Sequence, residues 1–399
     1  VTRKHACIIY YSYFRYSALL TREAKALRDA GFEVDVICIR EPDERPFEVV
    51  EGMNIYKLQR RLYNERIPAT YLLKLLFFFA LCFVLTSLLH LKKGYKVVHV
   101  TSPPDFLVFA ALLPRLSGAK VVLDIHDIVP ELFMRKFQVG GDHLYIRVLK
   151  RIERLSCRFS HHVFIVTELW RRLLVSRGVP EVKVSVLMNV PDPALFDPDL
   201  YQAAEDEHYF TLVYHGSYAE LFGVETLVAA MKPICERVPN ARLIMWGNGP
   251  LRQRLNDMVE ELGLQGRVFV GPAVPFAEVP PKLVAADLGV VPTRGGVFAG
   301  MALSMKSLDF IAMRVPMVIT RTPASSHYYD ESMVSFFEPD DAGGLAEAVV
   351  ELAANPERRR RMVENCQRFY REHNWHQYRK HYYAVLGLTG REAHAARIA

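Results

Sequence analysis

The sequence predicts an α/β protein built from doubly wound parallel sheets. Short β-branched runs alternate with longer helical patterns along almost the whole chain. The runs are near-continuous in hydrophobic residues, as strands covered on both faces must be. A proline- and acid-rich segment divides this rhythm into two halves of similar size, which implies two layered domains.

In the first half the candidate strands are Cys7–Tyr11, Val34–Ile39, Val97–Thr101, Val121–Ile125 and Val163–Thr167. Between the first two, LLTREAKALRDAG has helical spacing and closes on Gly31. The segment NVPDPALFDPDLYQAAEDEH carries three prolines and little periodicity, and reads as a linker. Strands resume at Leu212–His215, Leu243–Trp246, Val268–Val270, Leu288–Val291 and Met317–Thr320. The basic, aromatic C-terminus reads as helical, with its last part returning to the first domain. The predicted boundaries are 1–190, a linker at 191–208, 209–375, and a returning helix at 376–399.

The stretch LLKLLFFFALCFVLTSLLHLKKG, Leu72–Gly94, stands apart. Its uncharged part, Leu75–Leu89, covers roughly 22 Å as a helix, against the about 30 Å of a bilayer core. It is apolar all round, since Lys74, Thr86, Ser87 and His90 share no single face. A span there would separate strands 7–11 and 34–39 from strand 97–101, and all three belong in one sheet. The expectation is a monotopic helix near 71–91. It buries one face in its own domain and dips the other, with Leu76, Phe79 and Phe83, into the inner membrane surface. Arg60, Arg61 and Arg66 before it, and Lys92, Lys93 and Lys96 after it, suit an anionic leaflet. A homodimer seam through the same face is the competing explanation.

The chain has 399 residues, 51% hydrophobic and 24% charged, with a formal charge of +6. Its basic residues are scattered and lack a stacking motif, which argues against nucleic acid. Six widely spaced cysteines without metal-ligand spacing read as reduced thiols. The run ACIIYY is too short for a secretory signal, so the expected location is cytoplasmic, on the membrane face.

Ligands of doubly wound sheets bind at the carboxyl ends of the strands. Gly216 and Ser217 follow one strand, and Gly247, Asn248 and Gly249 follow the next. After Leu288–Val291 comes PTRGGVFAGMALSMKSLDF, in which Gly295, Gly296 and Gly300 precede a helix carrying Ser304, Lys306 and Asp309. A glycine-rich loop feeding a helix start suits an anion, Lys306 suits a phosphate, and Asp309 suits ribose hydroxyls. In the first half, LDIHDIVPELF places Asp124, His126 and Asp127 at the end of an apolar strand. The one DxD, Asp197–Asp199, lies between prolines in the linker and makes a poor metal site.

These segments together resemble the family 4 glycosyltransferases of the GT-B fold. The residues that carry the resemblance are VYHGSYAELFGVETLVAAM, LIMWGNGP, VFVGPAVPFAEVP, AADLGVVP, SMKSLDFIAMRVPMVIT and NVPDPALF. LDIHDIVPELF is similar to a segment of bacterial polysaccharide-assembly members. The resemblance implies two Rossmann-like domains facing across a cleft, the first for the acceptor and the second for a nucleotide-sugar donor. It implies sugar transfer to a lipid-linked or membrane-proximal glycan acceptor, with retention, without metal or other cofactor. By the same resemblance Asp309 replaces the second Glu of the family's Glu-x7-Glu pair and binds ribose. Gly300, Met301, Ala302, Ser304 and Lys306 then face pyrophosphate and sugar, Gly216 and Ser217 line the phosphate pocket, and His126, with Asp127 beside it, faces the transferred sugar.

Three departures from the family pattern stand out. The first Glu of the pair falls at Met301. Glu220 and Leu221 stand near the place of a common Lys, leaving Lys306, with Arg294, for the pyrophosphate. The first loop, YSYFRYS, lacks the family's glycines and offers Tyr13, Arg15 and Tyr16 to an acceptor. The rival readings are a nucleotide-sugar epimerase or hydrolase of the same fold, and an inactive scaffold or binding subunit.

Overall fold

The computed structural model describes residues 4–14, 18–60, 68–202, 208–296 and 300–388. The chain forms two compact units, Val1–Asn189 with Tyr378–Ala399, and Val190–Gln377.

The first unit contains β1 (Lys4–Tyr13), α1 (Ala18–Asp29), β2 (Phe32–Arg40), β3 (Phe47–Val50), β4 (Met53–Arg60), α2 (Pro68–Lys93) and β5 (Tyr95–Ser102). After a 3-10 turn at Asp105–Ala111 come α3 (Leu112–Leu116), β6 (Lys120–Ile125), α4 (Val129–Phe137), α5 (Leu144–Phe159), β7 (His162–Ile165), α6 (Glu168–Ser176) and β8 (Val184–Val186). The sheet order is β3-β4-β2-β1-β5-β6-β7-β8. Only the β3–β4 pair is antiparallel. Its two-residue turn, Glu51–Gly52, holds both residues at positive φ, the geometry that matches strand twist in a tight hairpin. The direction of winding reverses between β1 and β5.

Helix α2 shows why its sequence is apolar all round. Leu75, Phe78, Cys82, Thr86 and His90 repeat every three or four residues and are buried. Phe78 meets Tyr11 of β1 edge-on at 4.9 Å. Lys93 anchors the helix end, with Nζ 2.8 Å from both oxygens of Asp35. The opposite stripe, Leu73, Phe77, Val84, Leu88 and Leu91, is exposed, each by half or more. The helix is long and apolar enough to cross a membrane by length and composition. Yet β1, before it in the chain, pairs directly with β5, after it. A crossing is incompatible with that pairing.

Two details correct the sequence reading of this helix. Leu76 is exposed, but Phe79 and Phe83 are half-buried, and Phe79 packs against Phe106 of the 3-10 turn at 5.8 Å. At 100° per residue both lie beside the buried stripe rather than opposite it. Lys93, expected to meet lipid, is spent on Asp35. Arg61 and Arg66 lie outside the described residues.

The second unit contains β9 (Phe210–Ser217), α7 (Val224–Arg237), β10 (Ala241–Asn248), α8 (Arg252–Glu261), β11 (Val268–Gly271), α9 (Val279–Leu283) and β12 (Leu288–Val291). It continues with α10 (Met305–Ala312), β13 (Met317–Thr320), α11 (Pro323–Tyr328), β14 (Ser335–Phe337), α12 (Ala342–Ala354) and α13 (Pro356–Glu372). Its sheet runs β11-β10-β9-β12-β13-β14, all parallel. Winding reverses between β9 and β12. The predicted linker is not free-standing: Phe196 is buried in this unit's core, and Asp199 pairs with Arg314 at 2.6 Å.

The last helix, α14 (Trp375–Leu386), carries the chain back into the first unit from Tyr378 onward. Tyr383 Oη donates to the carbonyl of Ala26 in α1 at 2.7 Å, and His381 Nε2 lies 2.7 Å from Ser185 Oγ in β8. The part of the expected helix beyond Leu388 lies outside the described residues.

Candidate functional site

In the second unit the reversal of winding places the carboxyl ends of β9 and β12 side by side, where a doubly wound sheet opens to a ligand. β9 ends His215-Gly216-Ser217, and α10 begins just after the glycine-rich loop that follows β12. One face of α10 therefore brings Lys306 and Asp309, three residues apart, onto the end of β9. His215 Nε2 lies 3.6 Å from Asp309 Oδ2. Lys306 Nζ sits 4.1 Å above the Phe222 ring and 5.2 Å from the Tyr214 ring. Among the described residues no carboxylate comes within ion-pair distance of that buried ammonium.

The glycines make this approach possible. Gly216 has φ of 121°, and a Cβ there would stand 2.6 Å from Lys306 Cε. Gly247 pairs with Gly216 across the β9–β10 ladder, and a Cβ there would reach 1.9 Å from the Gly216 carbonyl oxygen. Tyr218 locks the two loops together. Its N–H donates to the Asn248 carbonyl at 2.8 Å and its hydroxyl to the Gly271 carbonyl at 2.8 Å. Gly249 N–H donates to Asn248 Oδ1 at 2.9 Å. The GNGP turn is thus a brace for the Gly216–Ser217 loop.

Ahead of α10, Gly300 is buried with its N–H on the Gly296 carbonyl at 2.7 Å, and Met301, Ala302 and Ser304 are half-buried. Ser304 occupies the N-cap without a side-chain bond to the helix. Arg294 does not reinforce Lys306: Glu220 and Asp340 both hold its guanidinium, the latter at 2.8 Å. The surroundings tune the site. Burial lowers Lys306 to about 8, against the pull of Asp309. Burial raises Asp309 to about 7, partly offset by Lys306. His215, buried and near Lys306, falls to about 3 and stays neutral. Tyr370 of α13, which the sequence reading missed, has a buried hydroxyl with no hydrogen-bond partner among the described residues.

A second cluster forms in the first unit. His126 follows β6, and its N–H donates to the Ser102 carbonyl at 3.3 Å. His126 Nε2 lies 2.9 Å from Asp124 Oδ2. His99 Nε2 lies 3.4 Å from the same oxygen, and His99 Nδ1 lies 2.9 Å from Tyr382 Oη. Burial would raise Asp124, but His126 and His99 hold it well below the usual carboxylate range. Burial would lower His126, but Asp124 raises it overall. Asp127 is pushed up to about 6 by burial, against the pull of His126. Sequence pattern found His126, Asp124 and Asp127; His99 carried no signal beyond being polar in an apolar strand, and Tyr382 is one aromatic among several in a basic, aromatic helix. Tyr13 is half-buried at the end of β1. Arg15 and Tyr16 lie outside the described residues. Of the DxD pair, Asp197 accepts the Asp199 N–H at 3.0 Å, and Asp199 holds Arg314.

Two family models match the chain. The glycosyl transferase 4-like domain covers residues 17–189, and glycosyl transferases group 1 covers 209–355. A chitobiosyldiphosphodolichol beta-mannosyltransferase of Candida albicans is 25% identical over 61% of this chain and 57% of its own length. A phosphatidylinositol N-acetylglucosaminyltransferase component of Arabidopsis thaliana is 28% identical over 62% of this chain and 52% of its own. The chain thus spans little more than half the length of these two relatives. Among solved structures, sucrose-phosphate synthase from Thermosynechococcus elongatus has a TM-score of 0.74 at 19% identity, covering 97% of this chain and all of that one. Anabaena HepE in complex with UDP has a TM-score of 0.69 at 12% identity, again over 97% and 100%. These likenesses establish a GT-B fold.

Proposed function

Because the chain belongs to the family 4 glycosyltransferases of the GT-B fold, we propose that it moves a sugar from a nucleotide-sugar to a lipid-linked or membrane-proximal glycan acceptor. The observation that carries the donor half is Lys306, a buried ammonium with no carboxylate in contact among the described residues, packed against a β9 loop whose glycine lets the two approach. A diphosphate supplies the missing countercharge. Asp309, open to hydrogen bonds, accepts from ribose hydroxyls, and Tyr370 has a hydroxyl to offer nearby. His126 acts on the transferred sugar. Met301 in place of a carboxylate leaves the sugar to be held by backbone on the donor side. Transfer proceeds with retention and without a divalent cation, so chelation with EDTA leaves it unchanged.

The acceptor half rests on α2. Its exposed apolar stripe is the kind of surface that lies in a bilayer interface, with exposed Arg60, Lys92 and Lys96 near its ends. The two relatives described above are, by name, transferases of dolichol-linked and phosphatidylinositol glycans, which supports a lipid-linked acceptor. A thermal-shift panel of nucleotide-sugars and nucleoside diphosphates tests the donor site, because a ligand of the folded state raises apparent stability. Stabilisation by a nucleotide-sugar, lost in Asp309→Ala, is expected. No stabilisation by any of them would overturn the donor reading.

A further inference from the structure

We propose that Tyr382 and His99 are positioning residues for His126, acting through the shared carboxylate of Asp124. The inference rests on the reading that His126 takes part in transfer. Its geometry begins with strand alternation. Thr101 of β5 aligns with Asp124 of β6, and His99 lies two residues before Thr101, so His99 and Asp124 project to one face. His126, two residues beyond Asp124, follows on the same face. The returning helix α14 sets Tyr382, wholly buried, against His99.

For a neutral His99 imidazole, one hydrogen-bond arrangement fits both of its neighbours. Burial, with Glu23, Asp124 and Tyr383 nearby, pushes the Tyr382 phenol far up, so it keeps its proton. If His99 donated from Nδ1 to that phenol, its Nε2 lone pair would face the carboxylate of Asp124, which repels it. The phenol therefore donates to His99 Nδ1, and the His99 proton sits on Nε2, 3.4 Å from Asp124 Oδ2, a through-space electrostatic contact rather than a formed hydrogen bond. That oxygen receives the Nε2–H of His126. His126 is thereby fixed in one tautomer and orientation, and Nδ1 is the nitrogen that gains or loses a proton. The other charges facing His126 are Asp127 and, from α1, Glu23, which is itself paired with Arg22 at 2.6 Å. Tyr10 of β1 adds a ring 6.3 Å away. Two imidazoles thus divide one carboxylate, and weakening the share of His99 concentrates it on His126, which then holds its proton more tightly.

Tyr382→Phe and His99→Phe test the relay by NMR titration of the His126 imidazole in the unliganded protein and by steady-state kinetics. Both variants should move the His126 titration upward by about 0.5 pH unit or more. The acid limb of the rate profile should move with it, and kcat should fall about threefold to tenfold with donor KM unchanged. The double variant should add little to either single one, as expected for groups that act through each other. An unmoved titration in a folded variant overturns the relay, as does a moved titration with unaltered kcat. Tyr382→Phe removes a single oxygen and carries the test alone if His99→Phe does not fold. His126→Ala serves as the control: near-normal turnover there would refute the role of His126 itself, a result distinct from an unmoved titration.

Discussion

Replacing Lys306 by Met should weaken donor binding and stabilise the empty protein at once. The two effects come from the same burial. In the fold the ammonium titrates near 8 rather than 10.5, so holding it charged costs about 3 kcal/mol at about 1.4 kcal/mol per pH unit. The sign follows from proton uptake: between those values the unfolded chain binds the proton more tightly than the fold does. The cost is fully present below about 8 and disappears as pH rises toward 10.5. Methionine keeps the alkyl packing against Phe222 and Gly216 and removes the charge. At pH 7 its Tm should rise by several degrees, taking about 2–4 °C per kcal/mol for a unit of this size. A charge-assisted contact to diphosphate is worth about 1.5–3 kcal/mol, so the dissociation constant should rise about tenfold to a hundredfold. Differential scanning fluorimetry and isothermal titration calorimetry read the two quantities on one sample. A lower Tm with unaltered nucleotide affinity would make Lys306 a structural residue and refute the reasoning.

Four other outcomes follow from the same geometry. Nucleoside-diphosphate affinity should peak between pH about 7 and about 8, since Asp309 must be ionised and Lys306 protonated; calorimetry in buffers of different ionisation enthalpy should show proton release below the window and uptake above it. His126→Ala should cut turnover about tenfold or more with nucleotide affinity near wild type, read by single-turnover assay. Gly247→Ala should destabilise the second unit by about 1–3 kcal/mol or more in urea unfolding, because its Cβ has only 1.9 Å to the Gly216 oxygen. Leu73→Ser with Phe77→Ser and Leu88→Ser should release the protein from anionic liposomes in flotation, with Tm nearly unchanged because all three side chains are exposed; an unbound wild type that runs as a detergent-free dimer would favour a seam between copies instead.

The sequence reading worked where one physical rule governs a whole segment. Strands such as Val34–Ile39 and Val121–Ile125 are covered on both faces, so their apolar runs are unambiguous. The missed strands obey other rules. β4, MNIYKLQR, buries alternate residues only, and one of these is Lys57, held by Glu44 and Glu48 at 2.6 Å each. A buried lysine paired this way looks like surface in a linear reading. β3, β8 and β14 are edge strands of three or four residues, too short for any period to register. The site divides in the same manner. The nearness of Lys306 and Asp309 to one another could be read because loop and helix adjoin in sequence. Arg294 was misjudged because its partners Glu220 and Asp340 lie on other segments. Tyr382 and His99 stand 283 residues apart, and only the folded chain joins them.

The most direct test of the account follows a labelled sugar from nucleotide-sugar into a membrane lipid extract, for wild type and Lys306→Met side by side. Wild type should deliver label to a lipid-extractable product, and Lys306→Met should do so at least about tenfold more slowly at subsaturating donor. Nucleotide-sugar consumed with the label appearing only as free sugar or an epimerised donor would contradict transfer and place the chain among hydrolases or epimerases. Donor left intact by a folded, nucleotide-binding wild type supplied with membranes would contradict catalysis and make the chain a binding subunit.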